Sequence, residues 1–378
     1  MLKLFEVSGF KNFPHSVAID FSNTRDYKFN QRCVKNGLIK DAIIYGKNSS
    51  GKTNFGLALF DIVAHLTGNN VTPHIYDNYI NVAVKYGGAT FHYVFQFGSD
   101  VVDYRYEKSD NRTLIFEHIE LNGELLLHKA YTDTDKTSGT AEDDFSGISR
   151  LAPTLNYSFV ASESYLKYAL NNTALDPEHP LYKMMQFISK MLWFRNLDEN
   201  RYIGYKTSSQ DYAKFMLDSK PLLSEFGALL RNAGVDANLA AEKDSDGARR
   251  LYASPSYNKS GRLPFFETAS SGTKALYAFF YWIKTSPGIS LLFIDEFDAY
   301  YHYELSEALV EMLEKLEDTQ VILTSHNTNL LTNRIMRPDC YFILSQDKLS
   351  SFADATQREL REGHNLEKLY MGGEFAEK

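Results

Sequence analysis

Several stretches of this 378-residue chain alternate between apolar and polar residues, which is typical of half-buried strands. The alternation occurs in residues 2–8 and 16–21, and again between residues 80 and 128. In the last stretch Asn122 and Gly123 separate two alternating runs, and this dipeptide is a strong hairpin signal. These patterns predict an antiparallel sheet in the first part of the chain.

A second pattern, a short apolar run followed by a helical period, predicts βα units. Residues 41–45 form such a run before the periodic segment 54–66, and two more βα units are expected after residue 263. Residues 162–235 have a mainly helical period, which predicts helices over residues 181–194 and 212–232. The polar residues 241–262 are expected to form a mobile connection. Sustained heptads are lacking, so the sequence predicts an α/β fold without a long coiled coil.

The same patterns divide the chain into three parts of one domain. Residues 1–150 are predicted to form an N-terminal lobe with antiparallel strands. Residues 151–262 are predicted to form a mainly helical insertion, and residues 263–378 a C-terminal lobe.

Composition narrows the class of protein. Hydrophobic residues make up 44% of the chain, which is enough for a sizeable core, and the formal net charge is −8. A protein that covers nucleic acid with its whole surface would be basic, so any contact with nucleic acid must come from a local patch. The basic run of Arg249, Arg250, Lys259 and Arg262 is expected to form a solvated face, as most such runs do, and the alternative is a patch that contacts nucleic acid or a partner.

Cysteine content and hydropathy bear on the compartment. Cys33 and Cys340 are the two cysteines, and their separation offers neither a disulfide framework nor a zinc-binding spacing. The longest apolar stretch, residues 275–283, has about half the length that a membrane span needs. We therefore expect a soluble, cytoplasmic protein without membrane contact.

The first candidate for chemistry is a phosphate loop, residues 46–53, with the order Gly-x-x-x-x-Gly-Lys-Thr. In such a loop, backbone N–H groups curl around phosphates and the following helix directs its positive dipole end at them. Lys52 is expected to bridge the terminal phosphates, and Thr53 is expected to hold Mg²⁺ through its hydroxyl. The residues predicted to bind nucleotide are Gly46, Lys47, Asn48, Ser49, Ser50, Gly51, Lys52, Thr53 and Asn54.

An acidic pair, Asp295 and Glu296, follows the apolar run 291–294. The pair should therefore lie at the end of a buried strand, where α/β sheets place their ligands. Asp295 is expected to hold Mg²⁺, directly or through water. Glu296 is expected to act on the attacking water as its general base or to position it.

The segment from Ala269 to Thr273 resembles a degenerate ABC signature, in which Ser270 and Gly272 match. Its departures are of the kind found in SMC, RecF, RecN and OLD-type heads. Together with the phosphate loop and the acidic pair, it resembles an ABC-type ATPase head, a phosphate-loop NTPase. The resemblance implies that two copies close on ATP, with Ser270 and Gly272 acting on the γ-phosphate held by the other copy. The alternative is a serine that merely caps the following helix.

Two further residues have expected roles from this resemblance. Asp298 corresponds to the D-loop and would line the dimer seam, and His326 resembles the switch histidine that contacts the γ-phosphate and the water. Gln96 and Gln186 are both candidates for the glutamine of the Q-loop.

Residues 1–21 resemble the opening strands of an SMC-type head, with residues 9–13 in the place of its glycine–aromatic–basic turn. Residues 361–370 resemble the end of small AAA-type ATPases of phage-defence operons, of the RloA and AbiL type. The resemblance implies a switch ATPase that uses ATP and Mg²⁺ and controls a separately encoded nuclease or toxin. The chain shows neither long arms nor the carboxylate cluster of an appended nuclease. The alternatives are a RecF/SMC-like DNA-repair ATPase and an ATP-dependent scaffold with negligible turnover.

Overall fold

The computed structural model describes residues 1–68, 76–131, 143–155, 163–195, 202–205, 212–258, 260–345 and 348–375. The strands among them are β1 Leu2–Ser8, β2 Val17–Asp20, β3 Val34–Lys35, β4 Leu38–Ile39, β5 Asp41–Tyr45, β6 Ala89–Phe97, β7 Asp100–Lys108, β8 Leu114–Leu121, β9 Glu124–Ala130, β10 Met191–Arg195, β11 Tyr202–Gly204, β12 Asn238–Lys243, β13 Arg249–Ser254, β14 Leu263–Pro264, β15 Leu291–Asp295, β16 Gln320–Thr324, β17 Tyr341–Leu344 and β18 Leu349–Ser351. The helices among them are α1 Lys52–Leu59, α2 Asp61–Thr67, α3 Ser146–Leu151, α4 Tyr165–Asn172, α5 Pro180–Ser189, α6 Lys220–Asn232, α7 Phe265–Thr268, α8 Ser271–Thr285, α9 Tyr303–Glu314 and α10 Leu366–Met371.

A central sheet positions the candidate site. Within the described residues it has seven strands in the order β11-β10-β15-β16-β5-β17-β18. The five inner strands run parallel, and the two edge strands pair antiparallel to their neighbours. Strands β5, β15 and β16 are buried at every position, as their continuous apolar runs predict for parallel strands covered on both faces. The predicted α/β fold is confirmed.

The register of the parallel strands brings their carboxyl ends to one edge of the sheet. Arg195 of β10 lies opposite Asp295 of β15, and Thr324 of β16 lies opposite Ile44 of β5. The phosphate loop begins directly after β5. This edge therefore collects side chains from segments that lie far apart in the sequence.

The predicted antiparallel subdomain is also confirmed. Its described strands follow the order β2-β1-β6-β7-β8-β9, and neighbours pair antiparallel. Asn122 and Gly123 join β8 to β9 with φ angles of 54° and 81°, which is the left-handed conformation that a tight hairpin turn requires. Tyr93 points from β6 to α1, and its hydroxyl donates to the Ala58 carbonyl at 3.0 Å.

A buried glutamine joins the two sheets. The Gln320 side chain exchanges hydrogen bonds of 3.1 Å with both the N–H and the carbonyl of Leu2, and it also donates to the Ile39 carbonyl. The side chain thus connects β1 of the antiparallel sheet to β16 of the central sheet. One contiguous apolar core extends through both lobes.

The prediction of a mainly helical insertion was wrong for part of residues 151–262. Helices α4, α5 and α6 are present, but β10 and β11 belong to the central sheet, and β12 and β13 form a small sheet with β14. The helix predicted over residues 181–194 ends at Ser189, because the apolar run that follows pairs with β15. Periodicity cannot separate a buried strand from a buried helix in so short a run. The domain limits at residues 150 and 262 stay a prediction.

Two further observations concern helix length. In the part of the chain that the structure describes, the longest helix is α8, with 15 residues, so no long coiled-coil arm is present there. None of the described helices is long and apolar enough to cross a membrane.

Candidate functional site

The phosphate loop turns tightly between β5 and α1. Gly51 has a φ of 102°, and a Cβ atom at this position would collide with the Asn12 amide. Gly51 occupies the N-cap position of α1 without a side-chain cap. Gly51 therefore supplies no side-chain acceptor to the first N–H groups of α1, which suits an anion at this end.

Two polar side chains inside the loop are suited to a phosphate group. The Lys52 ammonium donates to the carbonyls of Gly46 at 2.9 Å and of Lys47 at 3.2 Å. Burial lowers the pKa of Lys52, and the negative charge of the acidic pair opposes this shift. The Ser50 hydroxyl is buried and has no hydrogen-bond partner within the described residues. The Lys52 ammonium is thus bonded only to carbonyls of the loop among the described residues, and the Ser50 hydroxyl has no described partner. Because buried polar groups normally have a partner, both donors are suited to a phosphate group.

Asn12 supports the loop from the antiparallel lobe, and the sequence reasoning did not single it out. Its amide oxygen accepts from Asn54 Nδ2 at 2.7 Å, and its Nδ2 donates to the Ser50 carbonyl at 3.4 Å. Asn54 was predicted to bind nucleotide, and its described partner is Asn12. The signal in the sequence was the glycine–aromatic–basic turn of residues 9–13, of which Asn12 is a part.

Asp295 links the loop to the central sheet. The fully buried carboxylate accepts from the Thr53 hydroxyl and from the Thr324 hydroxyl, each at 2.7 Å. Burial raises the pKa of Asp295, the two hydroxyl donors oppose the shift, and the charge of Glu296 adds to it. A hydroxyl and a carboxylate are the oxygen ligands that Mg²⁺ prefers.

The donor set fits Mg²⁺ bound together with nucleotide. No group of three or more His, Cys, Asp or Glu suited to a metal occurs among the described residues. Mg²⁺ is commonly held by one or two protein groups, with phosphate oxygens and water completing its shell. Thr53 and Asp295 match that arrangement.

Glu296 has an unusual backbone conformation. Its φ is 52°, a left-handed value that costs a residue with a Cβ atom roughly 1–2 kcal/mol. Its N–H donates to Thr324 Oγ1 at 2.7 Å. Its carboxylate accepts from Arg195 Nη2 at 2.8 Å and from Arg195 Nε at 3.2 Å. Strain of this kind concentrates at functional sites.

His326 and Asp298 lie beside these groups. His326 is exposed just after β16. Partial burial lowers its pKa, the Lys52 charge lowers it further, and the carboxylates of Asp298 and the acidic pair oppose both effects. Asp298 accepts from the Ser325 hydroxyl at 2.7 Å, and burial raises the pKa of Asp298. The structure thus brings both predicted residues to the edge that holds the loop.

Ser270 and Gly272 lie at the start of α8. Ser270 is its N-cap, and the Ser270 hydroxyl accepts from the Thr273 N–H at 3.2 Å. A Cβ atom on Gly272 would lie 2.8 Å from the Tyr300 carbonyl, so glycine permits the close approach of the segment after Asp298. No hydrogen bond among the described residues joins Ser270 or Gly272 to the phosphate loop. Within one chain Ser270 caps a helix, and its predicted role in a second copy's site stays a prediction.

Neither candidate glutamine of the Q-loop reaches the site. Gln96 lies in β6 and its amide donates to the Gly98 carbonyl, whereas Gln186 lies within α5. Arg195, which the sequence did not single out, does reach the acidic pair. The available signal was that Arg195 ends the apolar run 191–194 as Asp295 ends the run 291–294.

The three arginines of the candidate basic patch are paired with acidic neighbours, and Lys259 lies outside the described residues. The ion pairs are Arg249 with Asp218, Arg250 with Asp244 and Asp246, and Arg262 with Glu242. These carboxylates offset the positive charge that would attract a phosphate backbone.

A protein-family model matches the part of the chain that contains the candidate site. The family model described as "AAA domain, putative AbiEii toxin, Type IV TA system" matches residues 42–332, which include the phosphate loop, the acidic pair and His326. No curated protein sequence matches the chain.

Solved structures of SMC heads are similar to the chain. The SMC head domain from Thermotoga maritima shares 14% identity over 93% of this chain and 98% of that chain, with a TM-score of 0.44. The Smc head domain with an extended coiled coil, bound to the C-terminal domain of ScpA derived from Pyrococcus furiosus, shares 14% identity. It covers 93% of this chain and 96% of that chain, with a TM-score of 0.43.

Proposed function

The chain belongs to the AAA-domain family that matches it, and from this premise we propose that it binds ATP with Mg²⁺ and hydrolyses the γ-phosphate bond. The observation that carries the proposal is the 2.7 Å contact between the Thr53 hydroxyl and the Asp295 carboxylate. This contact joins the phosphate loop to the carboxyl edge of the sheet, where α/β proteins bind their ligands.

Each residue at this edge has a distinct role in the proposal. Lys52 exchanges its loop carbonyls for the terminal phosphates. Thr53 and Asp295 would hold Mg²⁺, which would supply positive charge to offset the charge that develops on the phosphate. Glu296 accepts a hydrogen bond from the attacking water and orients it towards the phosphorus. His326, at the same edge, donates a hydrogen bond to the γ-phosphate or the water.

Phosphate release from ATP tests this proposal. We expect Glu296→Gln to lower kcat by about 100-fold or more, since positioned general bases contribute 10²–10⁴-fold. We expect Lys52→Ala to weaken ATP binding. Glu359→Gln and Lys85→Ala, two changes at exposed residues, are matched controls that should keep wild-type turnover. Wild-type turnover in the Glu296→Gln protein would overturn the assigned role, and absent ATP binding by wild-type protein would overturn the proposal as a whole.

ATP also closes two copies on each other in this proposal. The support is the surface where the first turn of α8 meets the segment after Asp298, because Gly272 packs against the Tyr300 carbonyl there. Tyr300 and Tyr303 are large side chains that are 41% and 51% exposed on this surface. Ser270, Gly272 and Asp298 of one copy would then complete the site of the other.

Light scattering of Glu296→Gln protein tests the dimer. We expect a dimer with ATP and Mg²⁺ and a monomer with ADP. Tyr300→Glu should prevent the dimer, whereas Tyr86→Glu, at a position 93% exposed, is the matched control that should keep it. A monomer under every condition would contradict the dimer and the roles of Ser270, Gly272 and Asp298 in it, whereas the proposed binding of ATP by Lys52 and Thr53 would stand.

The biological role that we propose is control of a separately encoded nuclease or toxin in anti-phage defence. Its support is the family match, whose description names a toxin of a type IV TA system, together with the resemblance of residues 361–370. Affinity isolation of Glu296→Gln protein with ATP from the native host tests it. A stoichiometric partner with nuclease or toxin activity would support the role. DNA-stimulated turnover would support a DNA-repair ATPase instead, and full function of Glu296→Gln in the host would support a scaffold.

A further inference from the structure

Arg195 connects β10 to the acidic pair at the carboxyl edge of the central sheet. Its guanidinium makes two hydrogen bonds to the Glu296 carboxylate and lies 3.7 Å from Asp295 Oδ2. The same Oδ2 atom accepts from the Thr53 hydroxyl at 2.7 Å. Asp295 Oδ2 therefore lies between the Arg195 guanidinium and Thr53, the residue of the phosphate loop that would hold Mg²⁺.

Stability alone does not explain this ion pair. The side chains of Arg195 and Glu296 are 29% and 24% exposed, and partly hydrated pairs of this kind contribute little to stability. Glu296 nevertheless adopts a strained left-handed conformation at this point. Glu296 therefore meets Arg195 from a backbone conformation that costs free energy, and such strain is expected at a functional contact.

The chemistry of the guanidinium indicates what would compete with Glu296 for it. Its planar fork binds carboxylate and phosphate oxygens with similar two-point geometry. Exchange of one for the other keeps both hydrogen bonds of the fork. A terminal phosphate on the loop is the anion that would arrive beside Asp295 and Thr53.

We propose that Arg195 is a positioning residue that senses the terminal phosphate of ATP. Without nucleotide it holds the Glu296 carboxylate, and the γ-phosphate takes over the guanidinium and releases Glu296 to orient water. ADP lacks that phosphate and leaves the Arg195–Glu296 pair in place. This inference rests on the proposed ATPase function and adds to it a distinction between ATP and ADP that is made within one chain.

Equilibrium binding of the non-hydrolysable ATP analogue AMP-PNP and of ADP, both with Mg²⁺, tests the proposal by calorimetry. We expect Arg195→Gln to weaken AMP-PNP binding about tenfold, because a charge-assisted contact to the terminal phosphate is lost. ADP binding should change less than about twofold. Arg195→Lys keeps the charge without the fork and should lie between wild type and Arg195→Gln. Arg361→Gln, an exposed change, is the matched control.

A second readout tests the competition itself. Glu296→Gln removes the carboxylate that competes for the guanidinium, so AMP-PNP should bind about two- to fivefold more tightly than to wild type. That gain should vanish in the double variant Arg195→Gln/Glu296→Gln. Nucleotide-free thermal unfolding of Arg195→Gln should stay within about 2 °C of wild type.

An unchanged ratio of AMP-PNP to ADP affinity in Arg195→Gln would overturn the inference, and so would an equal loss of both affinities with lowered thermal stability, which would mark Arg195 as structural. In both cases wild-type protein still binds ATP, and the proposed function stands. Failure of wild-type protein to bind either nucleotide is a different result, and it would remove the proposed function itself.

Discussion

Two buried aspartates, one in the antiparallel lobe and one in the candidate site, differ in how completely their charge is matched. Asp61 of α2 accepts from the hydroxyls of Tyr79 at 2.8 Å and Tyr106 at 2.9 Å, and from the Lys108 ammonium at 2.6 Å. Asp295 accepts from two threonine hydroxyls, and its nearest described cation is 3.7 Å away. Asp61 thus has a cation in direct contact, whereas Asp295 does not.

Another buried carboxylate of the antiparallel lobe, Glu117, differs from Asp295 in a second way, because its described donors include backbone N–H groups as well as hydroxyls. Glu117 accepts from the hydroxyls of Tyr131 at 2.6 Å and Ser164 at 2.7 Å, and from the Tyr165 N–H at 2.6 Å. Burial raises the pKa of Glu117, and these donors oppose the shift. Carboxylates with a full set of donors stabilise the fold. A carboxylate with hydroxyl partners alone keeps capacity for a cation that arrives with the substrate.

The largest effect that would test this comparison is on folding. We expect Asp61→Ala to lower the free energy of unfolding by about 3–5 kcal/mol, because it leaves the Lys108 charge buried without its partner. Urea denaturation measures this change. Asp26→Ala, at an exposed residue, is the control and should unfold like wild type. A loss below about 1 kcal/mol would show that the Asp61 network is not a structural element.

The second effect should fall on metal use rather than on folding. We expect Asp295→Asn to raise the Mg²⁺ concentration needed for half-maximal ATP turnover by about 10–100-fold. Without nucleotide its stability should equal or exceed that of wild type, because burial disfavours the charge that the substitution removes. A magnesium titration of turnover, with thermal unfolding in parallel, checks both. A stability loss like that of Asp61→Ala would contradict the comparison.

The smallest effect concerns pH and the amino ends of the central strands, at the side of the sheet opposite the candidate site. Asp41 begins β5, and burial raises its pKa to about 7 although Lys40 lies 3.1 Å away and opposes the shift. Between about pH 4 and pH 7 the folded protein keeps a proton that the unfolded chain has lost, so stability falls as pH rises through this window. We expect Asp41→Asn to reduce this slope by up to about 1.4 kcal/mol per pH unit.

Urea unfolding at about pH 5 and about pH 7 measures the slope for Asp41→Asn and wild type. Asp318→Asn, an exposed change, is the control and should leave the slope as in wild type. Equal slopes in Asp41→Asn and wild type would show that burial does not outweigh the Lys40 charge.

Predictions from the sequence were most accurate where a function or an element is contiguous in the chain. The phosphate loop, the strand that ends at Asp295 and the Asn122–Gly123 hairpin each depend on neighbouring residues, and each lies where it was predicted. The run 191–194 was misassigned to a helix, because its apolar residues suit either a buried helix or a buried strand. Pairing with β15, about 100 residues later, decides between them.

The candidate site shows the same division. Residues 46–53, the acidic pair and His326 follow from local patterns and from resemblance, because their chemistry depends on residue type and short spacing. Arg195 and Asn12 reach the site only through the order and register of strands, which no local pattern specifies.

The sequence by itself determined the phosphate loop, the alternation of the antiparallel strands and the order of the motifs, because each depends on backbone geometry or periodicity over a few residues. The tertiary structure alone decided which charges meet. The ion pair of Arg195 with Glu296 and the polar network around Asp61 join residues at least 18 positions apart. Burial and donor partners set the charge state of these groups, and both arise when the sheets and helices pack together.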